Sequence, residues 1–429
     1  MRILTIKAGG RTPESQSVTE DHAMPAIVQF PTVVVETLAE FGDLYANEPA
    51  RRHFAEYLTG LFVAERKNVS AIGRQFARST DQSCLNRWLT EVDWDAEALN
   101  RRRLDWLQQD PATRYSDRGV IAIDNVLIDH AGKLIEDVGW FWDHAEQRHK
   151  IAHDYLIANY VCPNGKHYPL EFRRFVKRDQ CELKGEPFVD HNTLFRGLVN
   201  WVIDSEIPGD FTFDSWFTHA ANLNHVHGHD RGYVGDLKLN RKVIFKGQEV
   251  KVDQLAAMIK PEDRKPIVID GDKQWYFTAR IDIPGVGHPV RIVILWKHWN
   301  SKTPRKALVT NRTHWEINRV LRTYRHRWRG TECFHRDGKQ HLGMGDCQLR
   351  KGRGQTRHMY LVFLAHSVLM RQLHRSRARG WALQRLTTIG QACRAVARQA
   401  LTSTIDWVIA RVRDDGWNHR KIKAHLALI

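Results

Sequence analysis

Two short apolar segments that each end in an aspartate constrain the fold of this chain most. Residues 119–124 (GVIAID) and 210–214 (DFTFD) are rich in β-branched and aromatic residues, a pattern that predicts buried strands. If the two strands lie side by side, Asp124 and Asp214 meet at the rim of one sheet, close enough to share a metal ion. Helical and strand patterns alternate around them, so we predict an α/β core.

A third carboxylate is expected on the helix predicted over residues 324–342. At about 100° per residue, one face of this helix carries an aromatic ring, a carboxylate and cations within roughly 80° of arc. These residues are Tyr324, Glu332, His335 and Lys339, and Arg327 borders the face. A solvated charged helix is the alternative interpretation. Carboxylate oxygens suit Mg²⁺, and two such ions about 3.5–4 Å apart support phosphodiester cleavage.

This helix resembles the Tyr-Arg-Glu-Lys signature of the IS4 and IS701 groups of bacterial insertion-sequence transposases. Glu332, six intervening residues and Lys339 reproduce the spacing of the signature, and residues 340–343 (QHLG) continue in the manner of the family. Residues 120–124 and 214–241 are similar to the regions of its first and second carboxylates. The resemblance covers about residues 115–370, in the same order.

The resemblance implies an RNase H-like fold with a β-rich insertion before the last carboxylate. It also implies that Asp124, Asp214 and Glu332 form a catalytic DDE triad that binds two Mg²⁺ ions, for which Mn²⁺ could substitute. Two further groups of residues follow from it. Tyr324, Arg327 and Lys339 would grip phosphates near the scissile bond, and Trp296 or Trp299 would stack on a base flipped from the DNA end, unless these rings pack in the core.

The sequence departs from the family pattern at two places. Four residues separate Arg327 from Glu332 where the family has three. The extra residue would rotate the helix by about 100° unless a bulge at Gly330 absorbs it. Asp124 is followed by Asn125 where members often carry a second acid. Asp129 is a rival for the first carboxylate, but Asp124 is the one expected to end its strand.

The positive charge is concentrated in the last third of the chain. From Ser301 to the end there are 27 Lys and Arg against 7 Asp and Glu, a net of +20, while the whole chain carries +16. A basic region of this strength attracts a polyanion, and nucleic acid is the first candidate. A solvated helical surface is the alternative.

The pattern along the chain predicts flanking helical regions around the core. Residues 67–91 fit two short helices with a turn at 77–80. As in a helix-turn-helix, the second helix would present Arg87 to DNA. Any small helical bundle gives the same pattern. Asn68 or Ser70 would cap the first helix, and Ser79 or Thr80 the second. The predicted organisation is a loose segment 1–24, a helical DNA-binding domain 25–112, core segments 113–240 and 313–370 around a β-rich insertion 241–312, and a basic helical region 371–429.

The function expected from these features is cut-and-paste transposition. The protein would bind terminal inverted repeats and target DNA as a homodimer, and would cut and join DNA in the bacterial cytoplasm, near the nucleoid. No apolar run reaches the length that a bilayer requires, and we expect no secretion signal, because residues 1–22 mix charged and polar residues without an apolar core. Two alternatives are a catalytically inactive DNA-binding derivative and an RNase H-like metal-dependent nuclease. The histidines of 225–229 (HVHGH) leave open a zinc site or a nuclease with a catalytic tyrosine.

Overall fold

The computed structural model of the protein describes residues 26–78, 81–144 and 146–426. The segment 1–24 that we expected to be loose lies outside the described residues, as do the two proposed cap residues Ser79 and Thr80. No helix in these ranges combines the length and the apolar character that crossing a bilayer requires.

The first described region is helical, as its residue spacing predicts. Its helices are α1 (Thr32–Phe41), α2 (Glu48–Val63), α3 (Val69–Gly73), α4 (Gln82–Thr90) and α5 (Ala96–Gln108). Asn68 caps α3, because its side-chain oxygen accepts a hydrogen bond from the backbone N–H of Ala71. Asp81 caps α4 in the same way through the backbone N–H of Ser83.

The central region contains six strands and three helices. They are β1 (Val120–Asp129), β2 (Gly139–Asp143), β3 (Arg148–Val161), β4 (His167–Phe175), α6 (Arg178–Lys184), α7 (His191–Asp204), β5 (Asp210–Phe213), α8 (Ala220–Gly228) and β6 (Tyr233–Leu237). The expectation that Asp124 ends its strand was wrong. Strand β1 runs on to Asp129, because its pairing with β3 continues and because Val126 and Ile128 are buried.

The segment between β6 and Ile317 is rich in strands and contains one short α-helix. Its elements are β7 (Lys242–Phe245), β8 (Gln248–Lys251), α9 (Val252–Met258), β9 (Lys265–Ile269), β10 (Asp272–Ile281), β11 (Val290–Trp296) and β12 (Lys306–Thr310). Strands β7 and β8 form a separate hairpin, whereas β9 to β12 extend the sheet of the central region. Four of the inserted strands therefore lengthen the core sheet, and the other two form a separate hairpin.

The main sheet has the order β2-β3-β1-β5-β6-β12-β11-β10-β9, and β4 also pairs with β3. Strands β1, β5 and β6 are parallel to one another, while β3 is antiparallel to β1 and β12 is antiparallel to β6. An antiparallel group followed by two parallel strands, with helices on the sheet, is consistent with an RNase H-like core. The predicted mixed α/β class is confirmed.

The chain returns to helices after β12. They are α10 (Ile317–Trp328), a π-helical turn (Arg329–Cys333), α11 (Phe334–His341), α12 (Gly352–Gln372), α13 (Ile389–Asp415) and α14 (His419–His425). Helix α12 is buried over most of its surface and belongs to one apolar core with the N-terminal helices and the central strands. Buried polar contacts join the same parts: Arg103 of α5 donates to the hydroxyl oxygen of Ser367 in α12. Helix α12 therefore anchors both flanking helical regions to the sheet.

Candidate active site

The first two candidate carboxylates lie level with each other on neighbouring parallel strands. Ile123 of β1 pairs in register with Phe213 of β5, so that Asp124 is the next residue of β1 and Asp214 is the first residue after β5. Adjacent strands in a sheet are about 4.8 Å apart. The prediction that these strands lie side by side is therefore correct, although Asp124 is in the middle of β1 and not at its end.

A glycine contact docks the helical unit that carries Glu332 onto the sheet. A Cβ atom added to Gly330 would lie 2.7 Å from the Cβ of Ala122 and 3.0 Å from a methyl carbon of Val161, so only glycine allows this approach. Alternate residues of a strand share a face, and Ala122 therefore faces the same way as Asp124. Glu332, two residues after Gly330, is brought to this face.

The π-helical turn absorbs the extra residue between Arg327 and Glu332. A π turn holds one more residue than an α turn, and here it spans Arg329–Cys333, with the hydroxyl of Thr331 donating to the carbonyl of Arg327. As a result, the guanidinium of Arg327 still lies 3.8 Å from a carboxylate oxygen of Glu332. The bulge that would reconcile the longer spacing is present at Gly330.

Arg327 connects the acids electrostatically. Its Nη1 donates to Oδ2 of Asp124 at 2.5 Å. Burial raises the pKa of Asp124 to about 7; Arg327 opposes the rise, and the negative charges of Asp214 and Glu332 add to it. Burial also raises the pKa of Asp214. The charges of Asp214 and Glu332 thus act on Asp124, and a single guanidinium compensates part of this negative charge.

This cluster is looser than a closed three-ligand cage. Within the described ranges, the ligand atoms of Asp124, Asp214 and Glu332 do not all lie within 4.8 Å of one another. A different group of three residues meets that distance, and it is considered below. Oxygen donors that repel one another suit a hard divalent cation such as Mg²⁺. The raised pKa of Asp124 is the observation that favours this fit, because an added positive charge would offset the burial of its carboxylate and the charges of Asp214 and Glu332. Asp124, Asp214 and Glu332 are the residues that could hold such ions.

A second network borders the acids and includes two residues that sequence reasoning missed. The ammonium of Lys306 donates to Oδ2 of Asp236 at 2.6 Å and to the hydroxyl of Tyr324 at 2.8 Å. The hydroxyl of Tyr324 donates to the same oxygen of Asp236 at 3.2 Å. Asp236 in turn contributes to the raised pKa of Asp214. Its place in the short strand β6 was the sequence signal that could have pointed to Asp236. Lys306 gave no such signal, because it begins β12, a strand that the sequence does not predict.

Lys339 lies near a different charge cluster. Burial lowers the pKa of Lys339, and the carboxylate of Asp129 partly opposes this. Asp129 accepts from the ammonium of Lys150 at 2.9 Å. Asp129 is five residues beyond Asp124, or roughly 17 Å along an extended strand. The charges that act most on Lys339 are therefore those around Asp129, not those of Asp214 and Glu332.

The two tryptophan candidates differ in exposure. Trp296 is fully buried, and the guanidinium of Arg264 lies 4.2 Å from the centre of its ring, so that Trp296 offers no open face to a base. Trp299, in the turn between β11 and β12, is 51% exposed. The structure therefore gives Trp296 to the core and leaves Trp299 as the candidate for stacking.

The second helix of the proposed helix-turn-helix exposes Arg87 and buries the neighbouring Trp88. Arg87 is on the exposed side of α4. Trp88 is fully buried and stacks on Trp94, with ring centres 5.1 Å apart. Of these two residues, Arg87 is the one whose side chain is open to a nucleic acid.

The histidines of residues 225–229 do not form a metal-binding group in the described part of the chain. His225 shares a hydrogen bond with the side-chain oxygen of Asn200 at 2.7 Å, and the ring of His227 stacks on His288 at 3.9 Å. Both histidines therefore have local contacts that do not involve a metal ion. The zinc site left open at this segment is not supported.

Two models of known protein families match this chain. The family model described as DDE superfamily endonuclease matches residues 40–266, and the model described as Transposase DDE domain matches residues 189–368. No curated protein matched the chain. The first match spans more than half of the chain, and its name refers to the type of acidic site that Asp124, Asp214 and Glu332 suggest. The chain belongs to the DDE superfamily of endonucleases.

Proposed function

We propose that this protein is a DNA transposase of the IS4/IS701 group, in which Asp124, Asp214 and Glu332 bind two Mg²⁺ ions and support cleavage and joining of DNA. The observation that carries the proposal is the register between β1 and β5, which sets Asp124 beside Asp214 while Gly330 docks the Glu332 helix on the same face. The family match to a transposase domain supports the same conclusion.

The residues around the acids have separable tasks in this proposal. Bound Mg²⁺ would supply an activated water or hydroxyl and neutralise charge on the phosphate. Arg327 holds Asp124 in place and, as a planar donor fork, suits a phosphate oxygen pair. Lys306 and Tyr324 fix Asp236, which keeps a negative charge beside Asp214.

DNA is the proposed substrate because of the charge distribution. The region from Ser301 onward carries a net charge of +20 and includes the helix with Arg327 and Glu332. Terminal inverted repeats of an insertion sequence, followed by target DNA, are the substrates that the transposase interpretation requires. Two protomers would pair two ends, since both ends must be released together. Arg87 and Trp299 are exposed and are proposed as additional DNA contacts.

The test is cleavage of labelled DNA that carries the ends of the element encoding this chain. Mg²⁺ should support cleavage and Ca²⁺ should not. Asp214→Asn and Glu332→Gln should each lower the cleavage rate at least about 1,000-fold, since a metal ligand that acts in the transition state is lost. Binding of the same DNA, measured by fluorescence anisotropy, should change less than about twofold.

Glu316→Gln is the matched control, because Glu316 is exposed at the start of α10 and caps no backbone group with its side chain. It should cleave like the wild type. Full activity in Asp214→Asn or Glu332→Gln would refute the triad. Binding without cleavage by the wild type would favour an inactive DNA-binding derivative, and cleavage without strand transfer into target DNA would favour a nuclease.

A further inference from the structure

Three side chains from distant parts of the chain converge beneath the helical unit that carries Glu332. They are His167 at the start of β4, Asp337 in α11 and His366 in α12, and one potential ligand atom from each lies within 4.8 Å of the others. His366 is 0% exposed and His167 is 9% exposed, while the side chain of Asp337 is 13% exposed. This cluster is separate from the acids of the candidate active site.

His167 has the tautomer that a metal ligand needs. A carbonyl oxygen can only accept, so Nδ1 of His167 donates its proton to the carbonyl of Gly165, at 3.4 Å. Nε2 therefore keeps its lone pair, and this atom is buried with no hydrogen-bond partner among the described residues. Burial lowers the pKa of His167 to about 4, which keeps the ring neutral near pH 7. A backbone acceptor behind a ligating histidine is a common arrangement at metal centres.

His366 lacks partners on both ring nitrogens. Nδ1 and Nε2 are buried and neither has a hydrogen-bond partner within the described ranges, although a neutral imidazole always has one donor and one acceptor. Buried polar atoms are rarely left in this state without a reason. Phe334 packs edge-on against the ring, with centres 5.0 Å apart, and thereby restrains its orientation. A metal ion would satisfy the nitrogen that carries the lone pair.

Asp337 completes the set with an anionic oxygen. Its Oδ1 accepts from two nitrogens of Arg336, each at 3.4 Å, which is long for a charged hydrogen bond. Two neutral imidazoles and one carboxylate form a ligand set typical of zinc and other first-row transition ions, whereas Mg²⁺ prefers oxygen alone. Bonds of about 2.0–2.2 Å would draw the three ligand atoms closer together, with water at an open position.

We propose that His167, Asp337 and His366 bind one Zn²⁺ ion, or a divalent ion of the same preference, and that this site staples β4, α11 and α12 together. The staple lies five residues beyond Glu332 on the same helical unit. It therefore restrains the end of the unit that follows the π-helical turn. The proposal does not depend on DNA cleavage, because a protein with no nuclease activity could hold the same ion.

The test uses the full-length protein, stripped with a chelator and returned to excess Mg²⁺ to occupy oxygen-rich sites. Co²⁺ should bind at one equivalent with the visible absorption of a nitrogen- and oxygen-ligated ion, and Zn²⁺ should displace it. Zn²⁺ should also raise the melting temperature, because it binds the folded state. His366→Leu and Asp337→Asn should weaken Zn²⁺ binding by at least about tenfold and abolish the shift in melting temperature.

His335→Leu is the matched control. His335 is also buried in α11 with an unpartnered Nε2, but it is not part of the cluster, so its replacement should leave Zn²⁺ binding unchanged. His366→Leu removes two ring nitrogens that have no partner among the described residues and fills a similar volume, so we expect this variant to fold. If His366→Leu does not fold, Asp337→Asn provides the test, because it keeps the shape of the side chain. Equal Zn²⁺ affinity in wild type and His366→Leu would overturn the proposal. Loss of the Zn²⁺ in Asp214→Asn instead would also overturn it, by placing the ion at the acidic site.

Discussion

Two groups of potential metal ligands lie five residues apart on one helical unit, and they differ in every property that selects an ion. The group around Glu332 consists of oxygen donors, has Arg327 in its midst and is partly open, with the Glu332 side chain 43% exposed. The group around Asp337 contains two imidazoles, is nearly closed to solvent and has ring nitrogens with no hydrogen-bond partner in the described part of the chain. One helical unit thus presents a hard, accessible site and a borderline, enclosed one.

The difference indicates how each group would treat a metal. An open oxygen site with a built-in guanidinium can exchange its ion and admit a phosphate, as a catalytic site must. An enclosed nitrogen-rich site holds its ion in place, as a structural site does. Both groups have three potential ligands, so the donor atoms and the exposure to solvent are what distinguish the acidic group from the histidine cluster.

The largest effect that sharpens this comparison is expected at Arg327, which lies among the acids of the oxygen-donor group. Arg327→Ala should lower DNA cleavage about 100-fold, because a positioned cation beside the reacting phosphate is lost and Asp124 loses its partner. Arg327→Lys should recover only part of the rate, since an ammonium lacks the planar fork. Cleavage rates at saturating Mg²⁺ measure both effects.

Arg325→Ala serves as the control for Arg327, because Arg325 lies on the same helix but donates to the backbone of Ile269 and to Asp270 in the inserted strands. It should cleave at a rate close to that of the wild type. Zn²⁺ binding should be the same in all three variants. A normal cleavage rate in Arg327→Ala would remove the guanidinium from the proposed site.

An intermediate effect is expected at Gly330, which docks the helical unit and so positions Glu332. Gly330→Ala would place a methyl group 2.7 Å from the Cβ of Ala122, and such overpacking costs about 1–3 kcal/mol. Urea unfolding should show this loss, and cleavage should fall with it. The double variant Gly330→Ala with Ala122→Gly removes the closest contact and should recover part of both. No recovery would mean that Val161, or the backbone itself, controls the approach.

Several parts of this architecture follow from the sequence, and the reasons for the failures are physical. The neighbouring strands of Asp124 and Asp214 were predicted correctly because each is a compact apolar run. The length of β1 was not, because Asp124 and Asn125 interrupt that run. In the folded chain these polar residues have partners, Arg327 for the first and Asp154 for the second.

Contacts between distant segments left no signal in the sequence. Strand β12 was missed because five residues with little flanking pattern gain their pairing only from β6 and β11. The histidine cluster was missed for the same reason, since His167 and His366 are far apart along the chain and have no motif in common. Trp296 and Trp299 could be told apart only by burial, which depends on the completed sheet.

The smallest change, taken per pH unit, is expected from titration in the metal-free protein, where the contributions of the two ligand groups to stability should have opposite pH dependence. The pKa of Asp124 rises from 3.8 to about 7 on folding, so that between these values the folded state keeps a proton that the unfolded state releases. Its contribution to the free energy of unfolding therefore falls as pH rises, by at most about 1.4 kcal/mol per pH unit. The pKa of His167 falls from 6.5 to about 4, so its contribution increases with pH over that range.

Urea unfolding of wild type, Asp124→Asn and His167→Leu in chelator separates these contributions, because other titrating groups cancel in each difference. The stability of wild type relative to Asp124→Asn should decline toward about pH 7 and then level off, while that relative to His167→Leu should rise up to about pH 6.5. Parallel curves for wild type and Asp124→Asn would show that Asp124 titrates as an ordinary surface acid. The burial of Asp124, together with the charges of Asp214 and Glu332, would then be too weak to favour a divalent ion there.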